Sequence, residues 1–225
     1  TAAGLLQGEA PPLLREMVGQ YYDSVALLGQ RIAELHRALG EDTPYPAFAP
    51  EPMTPLYQRS LYQSMRNVQQ RSMQELARNF STLTPEAQGI AQYVLSHNEE
   101  MLRRFRDLVS RRLFGRRIRC HGNLGLGELL FTGKDFVVLD FEGEAERSLG
   151  DRRLKRLPLG DIAIMVRSFH HAALAPLIDH PDRRGRSPGM IRPEDVGLLE
   201  PWADWWSTLA ATAFVRSYEQ HIAGL

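Results

Sequence analysis

The sequence predicts a mainly α-helical protein with one small β-hairpin, an α+β chain. Three observations carry this. Apolar residues recur at three-four spacing before Gly115 and again after Pro158. The period shortens to strand-like runs only between 116 and 144. Apolar residues make up 43% of 225, enough to bury a core. The expected organisation is helical over 1–114, a hairpin over 116–144, and helical again over 158–225.

Val25, Leu28, Ile32, Leu35 and Leu39 mark a first helix, which Gly40 stops. Five prolines in "EDTPYPAFAPEPMTP" exclude regular helix, so this is a wrapping segment or linker, with Tyr45 and Phe48 as expected anchors. Leu61, Met65, Val68 and Leu76 mark a second helix, whose polar face is "SMRNVQQRSMQ". "STLTPEAQ" starts a third, with Thr84 as N-cap and Pro85 in the first turn. It is expected to run through Ile90, Val94, Met101, Phe105 and Leu108 toward Arg112. His97 falls on its apolar stripe and reads as a core histidine rather than a ligand.

"RIRCHG" reads as a short strand. "ELLFTGKDFVVLDF" reads as a hairpin turning at Gly133-Lys134. A helix over 158–174 places Ile162, Met165, Val166 and Phe169 inward. "DHPDRRGRSPGMIRPED" is a polar loop. A last helix from 201 carries Trp202, Trp205, Trp206, Leu209 and Phe214.

Composition excludes several classes. Basic and acidic residues balance at 27 each, which gives no global pull toward nucleic acid or a membrane surface. Cys120 is the single cysteine, so there is no internal disulfide framework and no cysteine-rich metal site. That usage fits a reducing, cytoplasmic setting. No apolar run is long enough to span a membrane. "TAAGLLQGEAPPLL" lacks the basic start and apolar core of a signal peptide and reads as the start of a fragment.

The central stretch suggests chemistry. Phosphoryl transfer needs a group that orients or deprotonates the attacking hydroxyl, and oxygen ligands for magnesium. Kinase-like folds hold the base and one metal ligand five residues apart on a loop, and a second metal ligand after the next hairpin. Asn123, Glu128 and Asp140 have that spacing. An apolar strand ending in Asp is also common in hairpins that do no chemistry. An amide at 123 cannot take a proton at neutral pH, but it can orient a hydroxyl.

The full string "HGNLGLGELLFTGKDFVVLDFEGEAERSLGDRRLKRLPLGDIAIMVRSF" resembles the bacterial maltokinases, members of the aminoglycoside-phosphotransferase-like kinase superfamily often fused to trehalose synthase. Looser similarity extends back to "LLGQRIAELHRAL". The resemblance implies the C-terminal lobe of a protein-kinase-like fold, with ATP and magnesium as cofactors and maltose or a related sugar as ligand. It implies as partners an ATP-binding N-lobe of the same polypeptide and a fused trehalose synthase domain. No sheet resembling that N-lobe is legible before Gly115.

By the same resemblance, Asp140 matches a magnesium ligand, and His121 and Gly122 match the start of the catalytic loop. Asp161 matches an aspartate that braces this loop, and Arg152 and Arg153 match paired arginines after the hairpin. Asn123 replaces the catalytic aspartate, Gly125 a histidine, Glu128 a metal-binding glutamine, and His170 an aspartate. The implied reading is an impaired kinase lobe acting in sugar binding or domain assembly. An active maltokinase forming maltose 1-phosphate and a non-catalytic regulatory module are the alternatives. His121 reads as a loop brace or a second catalytic group. The cluster of Arg147, Arg152, Arg153, Lys155 and Arg156 reads as a solvated or paired loop, or as a phosphate contact. The tryptophans read as packing, or as a platform for a sugar ring.

Overall fold

The computed structural model describes residues 12–143, 145, 147–178 and 191–223, without the side chains of 12–17 and 193. The segment 1–11 and most of the expected polar loop (179–190) lie outside the described residues. In order, the elements are α1 (Pro12–Leu39), α2 (Pro55–Arg78), α3 (Pro85–Ser96), α4 (Asn98–Ser110), β1 (Leu129–Phe131), β2 (Phe136–Val138), α5 (Leu149–Arg152), α6 (Leu159–Ile178) and α7 (Val196–His221). Two-residue strand segments lie at Glu51–Pro52 and Arg116–Arg117. The chain divides into two compact units, Thr1–Glu51 with Arg117–Leu225, and Pro52–Arg116.

The core of the first unit is built from the apolar stripes of three helices. Val25, Leu28 and Ile32 of α1 meet Ile162, Met165 and Phe169 of α6 and Ala213, Phe214 and Tyr218 of α7. The rings of Phe169 and Phe214 meet edge-on at 5.8 Å. Gly29 lets α1 approach α7 closely. A Cβ there would lie 2.4 Å from the Phe214 carbonyl oxygen and 2.9 Å from Ser217 Cβ. The Ser217 hydroxyl donates across this crossing to the Ala26 carbonyl at 2.6 Å.

The hairpin pairs antiparallel, with Leu129 opposite Val138 and Phe131 opposite Phe136. Strand alternation turns Leu129, Phe136 and Val138 onto the core, while Leu130 and Val137 face outward. Its turn closes where expected. Gly133 takes φ +92°, and Thr132 N–H donates to the Asp135 carbonyl at 2.8 Å. The Arg31 guanidinium of α1 grips the Asp135 carboxylate through two nitrogens, at 2.8 and 3.2 Å. This pair, with the Phe136 N–H, holds the Asp135 carboxyl below its ordinary range.

Tyr45 and Phe48 are not buried anchors. Both are exposed, and Phe48 lies beneath the Arg119 guanidinium at 5.8 Å. Polar contacts hold the proline-rich segment instead. Lys155 Nζ donates to Glu51 at 2.8 Å and to the Pro46 carbonyl at 2.7 Å, and Arg117 also pairs with Glu51. Helix α6 runs past the expected end at 174 to Ile178, and Val166 on it is half-buried. Helix α7 starts at Val196 and takes Pro201 inside it, where the sequence reading had used that proline as a helix start.

In the second unit, Thr54 and Thr84 cap α2 and α3 by accepting the N–H of Tyr57 and Ala87. The expected third helix is two helices. His97 leaves helical geometry (φ −95°, ψ 10°), and its Nδ1 lies 2.8 Å from the Tyr93 carbonyl oxygen. It is half-buried at the break, not a core residue. Val68 and Ile90 point to solvent. The buried positions of α2 are glutamines. Gln58 donates to the carbonyls of Leu108 and Arg111 and accepts from Leu113 N–H, which satisfies the end of α4. Gln69 donates to Asn98 at the start of α4.

The crossing at Gly29 makes a paired prediction. Gly29→Ala is expected to destabilise by about 1–3 kcal/mol, because backbone would have to move. Gly19→Ala, on the same helix with nothing within 4 Å of the added carbon, is expected to stabilise by about 0.5–1 kcal/mol. Urea unfolding checks both. Equal effects would remove the close approach as the cause.

Candidate active site

The site begins with one buried carboxylate. Asp161 lies in the first turn of α6 and is 1% exposed. Its Oδ2 accepts the His121 N–H and its Oδ1 the Gly122 N–H, each at 2.9 Å. Such charge-assisted bonds are about twice as strong as neutral ones. Nε2 of His36, on α1, sits 3.2 Å from Asp161 Oδ2. Nδ1 of His36 sits 2.9 Å from the Tyr218 hydroxyl of α7. Three helices therefore converge on two backbone amides of one loop.

His121 is buried and turns its ring inward. Its Nε2 lies 2.6 Å from the Leu139 carbonyl oxygen, and its ring packs 4.9 Å from that of Phe141. That contact joins the loop to the end of the hairpin. Gly122, at φ +87°, takes the left-handed conformation that brings Asn123 out of the buried layer. Asn123 is half-buried, and its N–H lies 3.4 Å from His121 Nδ1.

Beyond Asn123 the loop is tied again. Leu124 is fully buried, and Leu126 N–H donates to the Ser168 hydroxyl of α6 at 3.1 Å. Glu128 folds back, so that its Oε2 accepts the Gly125 N–H at 3.2 Å. A Cβ at 125 would lie 3.1 Å from that same oxygen. The glycine and the glutamate are thus a matched pair: a larger residue at 125 would push Glu128 aside.

Asp140 follows β2 with its side chain in solvent and φ +56°, the left-handed region that Asp tolerates better than most residues. Leu139 N–H donates to the Glu128 carbonyl at 2.9 Å, so the two carboxylate-bearing residues are neighbours through the ladder. Among the described residues, no group of three or more His, Cys, Asp or Glu could hold a metal ion. Of the two carboxylates, that of Glu128 is already engaged by the Gly125 N–H, and that of Asp140 faces solvent.

The paired arginines separate. Arg152 is half-buried and donates to the carbonyls of Arg147 and Ala145 at 2.9 and 2.8 Å. Arg153 is exposed, and its carbonyl accepts from Arg119 at 2.9 Å. His170 is solvent-exposed, 3.9 Å from Asp204. On α7, Trp202 and Trp205 flank Asp204 in sequence, are exposed and meet edge-on at 6.0 Å, whereas Trp206 packs 5.0 Å from Tyr21. The first two tryptophans are therefore not core.

Sequence reasoning missed His36, Tyr218 and Ser168. The one available signal was His36 itself, a polar residue four after Ile32 on a buried stripe.

No protein-family model matches the chain. Solved structures do. A glucosamine kinase structure (crystal form A) is similar over 99% of this chain, with a TM-score of 0.64 and 20% identity. One of glucosamine kinase in complex with glucosamine, ADP and inorganic phosphate gives a TM-score of 0.63 at 20% identity, again over 99% of this chain. Crystal form B gives 0.64 at 19%. The chain spans 45–46% of those proteins' length. The fold is that of a kinase-like α+β lobe.

Two predictions test this geometry. Asp161→Asn puts an amide donor against a backbone donor and is expected to cost about 1–3 kcal/mol. It should also speed hydrogen exchange at the His121 and Gly122 amides, while Asp204→Asn should leave both unchanged. Unaltered exchange in Asp161→Asn would show that the carboxylate does not hold the loop. The second concerns Cys120. Burial first, then the Asp161 charge, pushes its thiol up to about 12. The neutral thiol is favoured, so alkylation at pH 8 should run on the order of 10³-fold slower than for an exposed cysteine and rise with pH toward 12. Rapid labelling at neutral pH would contradict this.

Proposed function

We propose that this chain is the helical lobe of a maltokinase-like sugar phosphotransferase, impaired in phosphoryl transfer and acting in sugar binding or domain assembly in maltose and trehalose metabolism. The observation that carries this reading is a loop tied at both ends, with an amide side chain at Asn123. Asp161, His36 and His121 hold the loop, and by the sequence resemblance Asn123 would take the place of the aspartate that receives the hydroxyl proton. The likeness to glucosamine kinase structures supports the phosphotransferase class; glucosamine is the sugar bound in one of them, and maltose is the ligand that the sequence resemblance implies.

Asn123 would orient a sugar hydroxyl by hydrogen bonding. Glu128 and Asp140 would hold magnesium, which, when bound with nucleotide, neutralises phosphate charge. The outward aromatic faces of Trp202 and Trp205, beside Asp204 and His170, suit a sugar ring bordered by hydroxyl partners. ATP would be bound largely by a separate lobe of the same polypeptide, and a fused trehalose synthase domain would be a neighbour.

One observation favours the second reading, an active maltokinase when joined to its N-lobe. Gly125 and Glu128 are mutually fitted, as in a loop that has been rebuilt rather than lost. Positioning and charge stabilisation would then have to replace base catalysis.

The test is a phosphotransfer assay with magnesium-ATP and either maltose or glucosamine. The chain alone is expected to give no sugar phosphate above a no-enzyme control. In a longer polypeptide carrying an ATP lobe, Asn123→Asp would raise the rate by about 10²–10⁴ if the base were the sole deficiency. No such gain is expected, because the Gly125–Glu128 pair also differs from the family pattern. Turnover by the unchanged chain would sink the impaired reading, and a large gain in Asn123→Asp would show that the rest of the loop is intact.

A further inference from the structure

A partly enclosed cavity of about 110 Å³ lies behind the loop, walled by Gly122 and Asp161 on one side and by the segment after the hairpin on the other. Leu154, Leu157 and Ile164 give it apolar walls, and the guanidinium-bearing residues Arg147, Arg152 and Arg156 line it. We propose that this cavity binds a small tetrahedral oxyanion, either inorganic phosphate or the phosphoryl end of a phosphomonoester, through Arg152 and Arg156.

Charge and donor supply argue for an anion. The Arg152 guanidinium donates to the carbonyls of Arg147 and Ala145, and that of Arg156 donates to the Asp151 carbonyl at 3.1 Å. Neither is paired with a carboxylate among the described residues. A guanidinium carries five N–H donors in a planar fork suited to tetrahedral oxyanions, so among the described residues most of this capacity is uncommitted. Two carboxylates also line the cavity. Asp161 is already met by two loop amides and His36, and Asp151 accepts from the Ser148 hydroxyl at 2.7 Å. Cys120 on the wall is a neutral thiol at ordinary pH. Against apolar walls, the attraction between guanidinium and anion is screened less than in open water.

Size sets the ligand class. The space, about 110 Å³ and open on one side, takes one phosphate-sized group, with the rest of any larger molecule left outside it. The site also bears on the loop. A Cβ at Gly143 would lie 3.6 Å from the His121 carbonyl oxygen and 3.7 Å from the Arg152 stem. An anion that fixes Arg152 would therefore fix the packing of Gly143 against the loop.

This inference needs only the cavity and does not rest on the phosphotransferase reading. The experiment is a titration of the chain with inorganic phosphate, followed by backbone amide shifts and calorimetry, with chloride at matched ionic strength as control. Saturable binding is expected, with shifts concentrated at Gly122, Gly143 and Arg152. Arg152→Gln and Arg156→Gln should each weaken it by about tenfold. Arg156→Lys, which keeps the charge and loses the fork, should weaken it less. Arg153→Gln, outside the cavity, should leave it unchanged. Should Arg152→Gln fail to fold, the Arg156 variants carry the test. A parallel titration with glucose 6-phosphate separates the two sources: comparable binding indicates a phosphomonoester site, and weaker binding indicates free phosphate. No saturable binding in the millimolar range would overturn the proposal, as would shifts spread over every arginine-rich surface or an Arg153→Gln loss equal to that of Arg156→Gln.

Discussion

The Asp161 carboxylate is the constraint on which the rest of the first unit depends. A buried charge is tolerable only when its partners are fixed and complete. Here they are two loop amides and a histidine from α1, itself bonded to a tyrosine from α7. Removing any of these leaves a polar group without its partner in a layer that water does not reach. The apolar stripes of α1, α6 and α7 supply most of the driving force for burial. The carboxylate fixes which residues of the loop face inward.

This arrangement separates rigidity from chemistry. The atoms that hold the loop belong to Asp161, His36, Tyr218, His121 and Ser168. The atoms that would face a substrate on the proposed reading belong to Asn123, Glu128 and Asp140. Changes in the second group need not disturb the first, because Asn123 side-chain atoms take no part in the buried bonds described above. A loop of this kind keeps its shape while its reacting groups vary, so shape alone is a poor measure of activity.

The legible parts of the sequence were those fixed locally. The α1 stripe repeats over many turns, and the hairpin turn carries Gly133 where a left-handed residue is required. Thr84 caps α3 through a bond three residues away. The parts that were not legible depend on partners far along the chain. His36 reads as an isolated polar residue until Asp161 and Tyr218 stand beside it, 125 and 182 positions away. The break at His97 was hidden because the apolar period runs through it, and the buried partner that holds the following Asn98 is Gln69, on another helix. Tyr45 and Phe48 looked like anchors because of their size, but Glu51 and Lys155 hold that segment. In the site, the spacing of Asn123, Glu128 and Asp140 was readable, whereas the Gly125–Glu128 bond was not.

The two units differ in how far apart their partners lie along the chain. Within Pro52–Arg116, α2 and α4 are joined by connections of modest length, and such contacts close early. The first unit is discontinuous. Helix α1 lies well before the loop in sequence, and the helix that Gly29 is shaped to receive lies well after it. During synthesis from the N-terminus, the stripe of Leu28 and Ile32 therefore lacks its full native cover until α7 has emerged. The price of a loop clamped by helices that lie far before and far after it in sequence is a long interval in which an apolar helix waits, and it is in that interval that a nascent chain is most open to aggregation and to capture by chaperones.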